Sequence, residues 1–200
     1  MSNGSYNFVP IVDNRTVFSD YSARAESGGL ANLPTLAGVN TRETSALFSL
    51  SLSSVNETEI YDDLQTTFNC PLQESVRIRL EQKVPIWRYL YHGNFTNLSP
   101  TSWLGAYHTG EVPMVFGTYN MSLSETGPAS MEEIAASKYI QDAWVAFAKD
   151  PQNGLHRFGW PQFNFDGDTL INLALNNTST AIFTSSEAWD SPCNGGTFVP

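Results

Sequence analysis

The sequence of 200 residues is poor in positive charge and in long apolar runs. Ten lysines and arginines stand against 20 aspartates and glutamates, which gives a net charge of −10. An acidic surface repels phosphate backbones and anionic lipids, so we expect no nucleic-acid partner and no binding to a membrane surface. A transmembrane helix needs about 20 consecutive apolar residues. No run of that length occurs, so we also expect no membrane span.

Cysteine and histidine are scarce as well. The two cysteines, Cys70 and Cys193, either pair or remain as two buried thiols, and their spacing leaves both alternatives open. Neither cysteine has a nearby Cys or His at metal-ligand spacing, and the histidines His92, His108 and His156 form no such pair. The sequence therefore predicts no metal site.

The first residues, Met-Ser-Asn-Gly-Ser, lack the positive start and apolar stretch of a secretory signal peptide. Eight Asn-x-Ser/Thr sequons nevertheless indicate a glycosylated, secreted protein; the alternative is a polar-rich cytosolic surface. Pro100, just beyond Ser99, weakens the sequon of Asn97. The sequon asparagines are Asn3, Asn14, Asn56, Asn94, Asn97, Asn120, Asn176 and Asn177.

Helical and extended patterns alternate along one domain over residues 1–200, which is typical of an α/β protein. With 41% hydrophobic and 12% aromatic residues, the chain has enough apolar side chains for a core. The predicted helices cover residues 19–27, 71–84 and 130–150, and the predicted strands cover residues 33–40, 85–93 and 169–177. We place Ser19 at the N-cap of the first helix.

Two residues with acid–base chemistry follow the first two predicted strands. Glu43 comes directly after the first strand, and His108 lies on a loop beyond the second. Loops at the carboxyl ends of parallel strands commonly carry functional sites. A carboxylate that accepts the Nδ1–H of such a histidine fixes its tautomer and leaves Nε2 able to deprotonate a serine hydroxyl. The alternatives are a solvated glutamate and a hydrogen-bonded structural histidine.

Four stretches, in this order, resemble one family. "FVPIVDNRTVFSDYSARAESGGLANLPTLAGVNTRETSALF" resembles the segment around the triad glutamate of type B carboxylesterases. "PIWRYLYHGNF" and "GAYHTGEVPMVFG" resemble its next strand and its histidine loop, and "YIQDAWVAFAKDPQNGL" resembles the following helix. The resemblance covers nearly the whole chain and is closest to the fungal branch. It implies the C-terminal part of an α/β-hydrolase fold, an incomplete, mostly parallel sheet with flanking helices.

The resemblance also implies roles for individual residues. Glu43 takes the position of the triad acid and His108 that of the general base. Glu111 resembles a second carboxylate that supports them, although it also reads as a first-turn acid stabilised by a helix dipole. Cys70, in "FNCPLQ", resembles a cysteine that forms a bridge in the family, and Cys193 is its expected partner. The substrate would be a small-molecule ester, with no cofactor.

The nucleophile of the family is absent from this sequence. No G-x-S-x-G motif occurs in the 200 residues, and in the family this elbow and the glycine-rich oxyanion loop precede the triad acid. We expect both upstream of Met1. Ser27, in "ARAESGGLA", echoes the elbow but lies at a helix C-cap. Thr44 stands where the family prefers glycine or alanine, which predicts a looser turn after Glu43.

These observations predict the C-terminal fragment of a secreted serine carboxylic-ester hydrolase, inactive alone. Two alternatives stay open at this point. One is a non-catalytic secreted binding module on a hydrolase scaffold, since a fold does not fix a function. The other is a truncated gene product without function.

Overall fold

The computed structural model describes residues 10–47, 56–99, 101–121 and 127–195. The chain divides into two compact units, residues 1–32 and residues 33–200. Each unit is described by itself below.

The first unit contains one short helix, α1 (Tyr21–Arg24), which continues into a wider π-type turn at Ala25–Gly29. Its N-cap is Asp20, not the predicted Ser19, because the Asp20 carboxylate accepts the N–H of Ala23 at 2.8 Å. Gly28 ends the turn with φ +84°, the left-handed conformation that glycine adopts without steric cost. The helix predicted over residues 19–27 therefore ends at this glycine.

The second unit is built on a mixed sheet of four strands in the order β1-β2-β3-β4. Three neighbouring strands are parallel, and β4 runs antiparallel to β3. Within the described residues β1 pairs only with β2, so its other edge carries no strand. The strands are β1 (Thr35–Asn40), β2 (Ile86–Tyr91), β3 (Leu170–Leu173) and β4 (Ile182–Thr184).

Helices connect and cover these strands. Helices α2 and α3 are joined without a break by the π-helical stretch Gln65–Asn69. The longest helix, α5, begins at a capping box, in which the Ser130 hydroxyl accepts the N–H of Glu133 at 3.1 Å. The helices are α2 (Glu57–Leu64), α3 (Cys70–Glu81), α4 (Val112–Phe116), α5 (Met131–Lys149), α6 (Gly154–Phe158) and α7 (Glu187–Asp190).

The side chains of β2 alternate between two apolar layers, as expected for a strand that is covered on both faces. Trp87 and Tyr91 belong to the cluster that includes buried residues of α5 and α6. Ile86 and Leu90 belong to the other cluster, which includes Val76 of α3. Helices therefore pack on both faces of the sheet, which confirms the predicted α/β class.

A disulfide ties the turn after α7 to α3, and a buried ion pair ties α7 to β2. The predicted bridge between Cys70 and Cys193 is present and closes a separation of 123 residues. Beside it, Arg88 of β2 donates two hydrogen bonds to the Asp190 carboxylate, at 2.6 and 2.7 Å. In the chain-entropy estimate, a loop of this length adds about 4–5 kcal/mol to the free energy of unfolding.

Two predicted strands differ from the structure. The strand predicted over residues 33–40 begins at Thr35, and its first four residues are only half-buried. Strand β3 stops at Leu173, because Ala174 turns the chain with φ +52° into a 3-10 turn at Leu175–Asn177. A pattern of alternating residues does not reveal where a single left-handed residue ends a strand.

Candidate active site

The loop that carries Glu43 is fastened to two neighbouring segments. The N–H of Thr41 donates to Tyr91 O at 3.0 Å, at the end of β2, and the N–H of Arg42 donates to Ala106 O at 3.1 Å. The Glu43 side chain is only 8% exposed as a result. A parallel arrangement of strands thus brings the ends of β1 and β2 to one edge, as the sequence predicts.

The side chain of Thr44 anchors this turn. The residue is fully buried, and its hydroxyl donates to Ile60 O at 2.6 Å. The neighbouring Ser45 hydroxyl donates to Leu104 O at 2.8 Å. The expectation of a looser turn stays a prediction, but the hydroxyl of threonine adds an anchor that glycine or alanine lacks.

His108 lies on a compact turn at the same edge. Tyr107, the residue before it, forms a parallel bridge with Arg42, and its hydroxyl donates to Leu98 O at 2.8 Å. Thr109, the residue after it, has φ +69°. This turn holds the backbone while the imidazole remains 55% exposed.

Glu43 and His108 contact each other directly. His108 Nδ1 lies 2.7 Å from Glu43 Oε2, and Glu43 Oε1 accepts the backbone N–H of Asn40 at 2.8 Å. Since a carboxylate only accepts, Nδ1 is the donor, and the neutral ring carries its proton there. Within the described part of the chain this is the only hydrogen bond of the ring. Nε2 is therefore available as a proton acceptor, which is the arrangement of a general base.

An aromatic ring flanks the imidazole. The centroids of the Phe68 and His108 rings are 5.5 Å apart, with an angle of 46° between the planes. Phe68 lies on the π-helical stretch between α2 and α3. Such stretches are rare and frequently occur at functional sites. The sequence pattern does not reveal this neighbour, because an inserted residue in a helix leaves no distinct apolar period.

Glu111 joins the site through Asn40. The side-chain amide of Asn40 donates to Tyr107 O at 2.7 Å and to Glu111 Oε2. Glu111 immediately precedes α4, but its carboxylate makes no capping bond to the helix backbone. Asn40 was not among the predicted site residues; its only sign in the sequence is a polar residue at the end of a mostly apolar strand.

The negative charges of the two glutamates also affect a partly buried tyrosine, Tyr89. Burial raises the pKa of Tyr89 above its ordinary value, and the negative charges of Glu111 and Glu43 raise it further. Tyr89 therefore stays neutral beside the site.

The other two histidines lie apart from this pair. His92 Nε2–H donates to Asn172 Oδ1 at 2.8 Å, and burial lowers the pKa of His92 below its ordinary value of 6.5. His156 is exposed on α6. The described residues contain no group of three or more side chains suited to a metal ion.

The sequon asparagines differ in accessibility. Asn97 is 4% exposed, and its side-chain N–H donates to Tyr119 O at 3.3 Å, so a glycan at Asn97 does not fit this fold. Asn3 lies outside the described residues. Four sequon asparagines are exposed: Asn14, Asn56, Asn120 and Asn176. Two others, Asn94 and Asn177, are half-buried.

A separate cavity of about 600 Å³ lies beside α7 and contains neither Glu43 nor His108. It is lined by polar residues of α3 and α7, among them Gln73, Glu187 and Asp190. We place the chemistry at the strand ends instead, because among the described residues only His108 is an exposed base that contacts a buried carboxylate. Among the described helices none is long and apolar enough to cross a membrane.

Comparison with known proteins supports the same family as the sequence motifs do. The sequence model of the Carboxylesterase family matches residues 58–190. Secreted lipase 5 of Gibberella zeae is 36% identical over an alignment of 199 residues. This alignment covers 93% of this chain and 36% of the lipase. Chlorogenic acid esterase of Aspergillus niger is 33% identical over 185 residues, which cover 85% of this chain and 36% of the esterase.

Solved structures support the fold. A thermophilic PNB esterase superposes with a TM-score of 0.59 at 19% identity, over 88% of this chain and 41% of the esterase. The chain thus spans little more than a third of the length of the relatives that it matches. Together with the sheet and its flanking helices, these matches show that the chain belongs to the carboxylesterase family, with an α/β-hydrolase fold, and matches the C-terminal portion of its type B members.

Proposed function

We propose that Glu43 and His108 are the acid and the general base of a serine carboxylic-ester hydrolase. The observation that carries this proposal is the 2.7 Å contact between His108 Nδ1 and Glu43 Oε2, with an imidazole that is 55% exposed. A buried carboxylate orients the ring, and the ring presents its second nitrogen outward.

The proposed reaction is acyl transfer to a serine outside these 200 residues, since no elbow motif occurs within them. His108 Nε2 takes the proton of that serine as its oxygen attacks the ester carbonyl, and Glu43 stabilises the resulting imidazolium. His108 then returns the proton to the leaving alcohol. Water, deprotonated by His108, hydrolyses the acyl-enzyme. Backbone N–H groups outside this chain would stabilise the oxyanion.

The proposed substrates are small-molecule esters, and the proposed setting is extracellular. One relative is named a secreted lipase and another a chlorogenic acid esterase. The disulfide supports an oxidising compartment. The exposed sequons support passage through a glycosylating secretory route.

We expect the 200-residue chain alone to be inactive, because its sequence contains no G-x-S-x-G elbow to supply the nucleophile. The test is hydrolysis of p-nitrophenyl butyrate by the purified chain and by its His108→Ala variant. The expected rate equals that of buffer for both proteins. Turnover that disappears in His108→Ala would show that a nucleophile lies within the chain.

The triad is tested in a lipase chimera, in which this chain replaces the matching segment of Secreted lipase 5 of Gibberella zeae. The chimera should hydrolyse p-nitrophenyl butyrate, and His108→Ala should lower kcat by roughly 10⁴-fold or more. His156→Ala is the matched control, since His156 is exposed on α6. A His108→Ala chimera that keeps its kcat would exclude His108 as the base.

A further inference from the structure

Asn40, the last residue of β1, contacts both loops of the site. Its backbone N–H donates to Glu43 Oε1 at 2.8 Å, on its own loop. Its side-chain Nδ2 donates to Tyr107 O at 2.7 Å, on the loop of His108, and to Glu111 Oε2. The residue is 1% exposed, so water does not compete for these contacts.

These contacts use every donor of the residue. A side-chain amide nitrogen carries two hydrogens, and one points to the Tyr107 carbonyl while the other points to the Glu111 carboxylate. The bond to Glu111 is charge-assisted and therefore stronger than a neutral one. It holds the amide in the orientation in which its other hydrogen meets Tyr107 O. Tyr107 is the neighbour of His108, so this bond fixes the backbone from which the imidazole projects.

We propose that Asn40 is a positioning residue for the Glu43–His108 pair. Its main chain orients the carboxylate, its side chain fixes the loop of the imidazole, and Glu111 acts by holding the amide. The inference rests on the proposed function of that pair and assigns a residue that the family resemblance did not. It also gives Glu111 a physical task that is not helix capping.

The proposal predicts an effect on the tautomer of His108. The bond that one ring nitrogen makes decides which nitrogen carries the proton. If the two loops lose their connection, Glu43 no longer holds the Nδ1 proton reliably and the Nε2–H form gains population. The ¹⁵N shifts of a neutral histidine ring report this ratio directly. They can be measured in the 200-residue chain without any catalytic activity.

The main variant is Asn40→Asp, which keeps the shape of the side chain but replaces its NH₂ by an oxygen. Both side-chain donors disappear, and a carboxylate faces Glu111 and Tyr107 O. We expect the Nδ1–H fraction of His108 to fall from predominant to a minority. In the lipase chimera, kcat should fall about 10- to 100-fold with KM changed less than twofold, since small misplacements of catalytic groups have effects of this size. An unchanged tautomer ratio would overturn the proposal.

Asn172→Asp is the matched control. Asn172 is 4% exposed and its Nδ2 donates to Thr184 Oγ1 at 2.8 Å, so the same exchange disturbs an equally buried amide. Its hydrogen bonds reach neither Glu43 nor His108. We expect a lower melting temperature with an unchanged tautomer ratio and kcat. If Asn172→Asp shifts the ratio as far as Asn40→Asp does, the effect is general destabilisation and the proposal fails.

A milder variant covers the case in which Asn40→Asp does not fold. Glu111→Leu removes the acceptor but leaves the bond from Asn40 to Tyr107 O. It should shift the tautomer ratio in the same direction as Asn40→Asp, by a smaller amount. No shift would exclude the role of Glu111.

The double variant Asn40→Asp/Glu111→Gln separates the two bonds. It restores one hydrogen bond with donor and acceptor exchanged, and it removes the repulsion, but Tyr107 O still lacks its donor. We expect partial recovery of kcat and of the Nδ1–H fraction; complete recovery or none would overturn the division of roles. Wild-type chain with the proton on Nε2 would instead contradict the proposed function of the pair.

Discussion

Two buried carboxylates of this chain each bind a nitrogen-containing side chain, but the exposure of that side chain differs. Glu43 Oε2 lies 2.7 Å from His108 Nδ1, and the His108 side chain is 55% exposed. Asp190 Oδ1 lies 2.6 Å from Arg88 Nη2, and the Arg88 side chain is fully buried. The first pair leaves the His108 imidazole accessible to solvent, whereas the second leaves no accessible side-chain nitrogen. The two N···O distances are similar. The exposure of the nitrogen-containing side chain is therefore what distinguishes a candidate reaction centre from a structural ion pair.

The surroundings of the two pairs agree with this distinction. Arg88 also donates to Asn69 Oδ1 at 2.9 Å, and the Trp189 Nε1–H donates to the same oxygen at 2.6 Å. This network links β2, the π-helical stretch and α7 beside the disulfide. A buried ion pair is not by itself strong evidence for stability, but removal of one partner leaves an uncompensated charge. We therefore expect substitutions in the Glu43–His108 pair to lower activity and substitutions in the Arg88–Asp190 pair to lower the free energy of unfolding.

The largest expected effect is on catalysis, from Glu43→Gln in the lipase chimera. A glutamine amide donates as well as accepts, so it favours the wrong tautomer of His108. We expect kcat to fall by roughly 10⁴-fold. The melting temperature should change little. Kinetics with p-nitrophenyl butyrate and thermal unfolding check both points, and a stability loss with retained kcat would assign Glu43 a structural role.

Arg88→Ala should produce the largest loss of stability. It leaves Asp190 buried without its partner, so the free energy of unfolding should fall by about 3–5 kcal/mol. Arg77→Ala is the control, because Arg77 pairs with Glu74 and Glu81 at the surface with its side chain 49% exposed. An exposed pair contributes only about 0–1 kcal/mol. Urea unfolding measures both; equal losses would erase the difference between buried and exposed pairs.

Removal of the disulfide should weaken the same structural region without touching the site. For Cys70→Ser/Cys193→Ser we expect a loss of about 2–5 kcal/mol in the free energy of unfolding. Below the unfolding transition the tautomer ratio of His108 should equal that of the wild type. A shifted ratio would mean that the disulfide helps to position the pair.

The smallest expected effect concerns His92 and pH. Burial lowers its pKa in the folded state, so the unfolded chain binds this proton more readily. Its contribution to stability is present above pH 6.5 and is lost as the pH falls through the lower folded pKa. His92→Gln keeps a donor for Asn172 but cannot titrate. It should flatten the decline in melting temperature below pH 6.5, whereas His156→Gln should leave the decline unchanged.

Much of the fold could be predicted from the sequence. Apolar runs located the three parallel strands, and helical periodicity with capping residues located α3 and α5, which have 12 and 19 residues. Strand β4 was missed, since its three residues, Ile182–Thr184, form no pattern of useful length. The π-helical stretch was missed because one extra residue in a helix changes its geometry, not its composition.

The site was predictable only in part. The family resemblance supplied Glu43, His108 and the cysteine pair, and the order of the parallel strands explains why they meet. The sequence did not reveal Asn40, whose importance depends on contacts 67 and 71 residues away. Nor did it reveal the pairing of Arg88 with Asp190, which lie 102 residues apart. Contacts between distant polar residues leave no local pattern.

The most direct test is a crystal structure of the lipase chimera after reaction with a fluorophosphonate, which labels an activated serine. The account predicts a single phosphonylated serine in the lipase segment. Its Oγ should lie within about 3.2 Å of His108 Nε2, the range in which a general base acts. Glu43 should still accept the Nδ1 proton. A labelled serine whose oxygen lies far from the His108 ring, or a ring turned away from Glu43, would contradict the account.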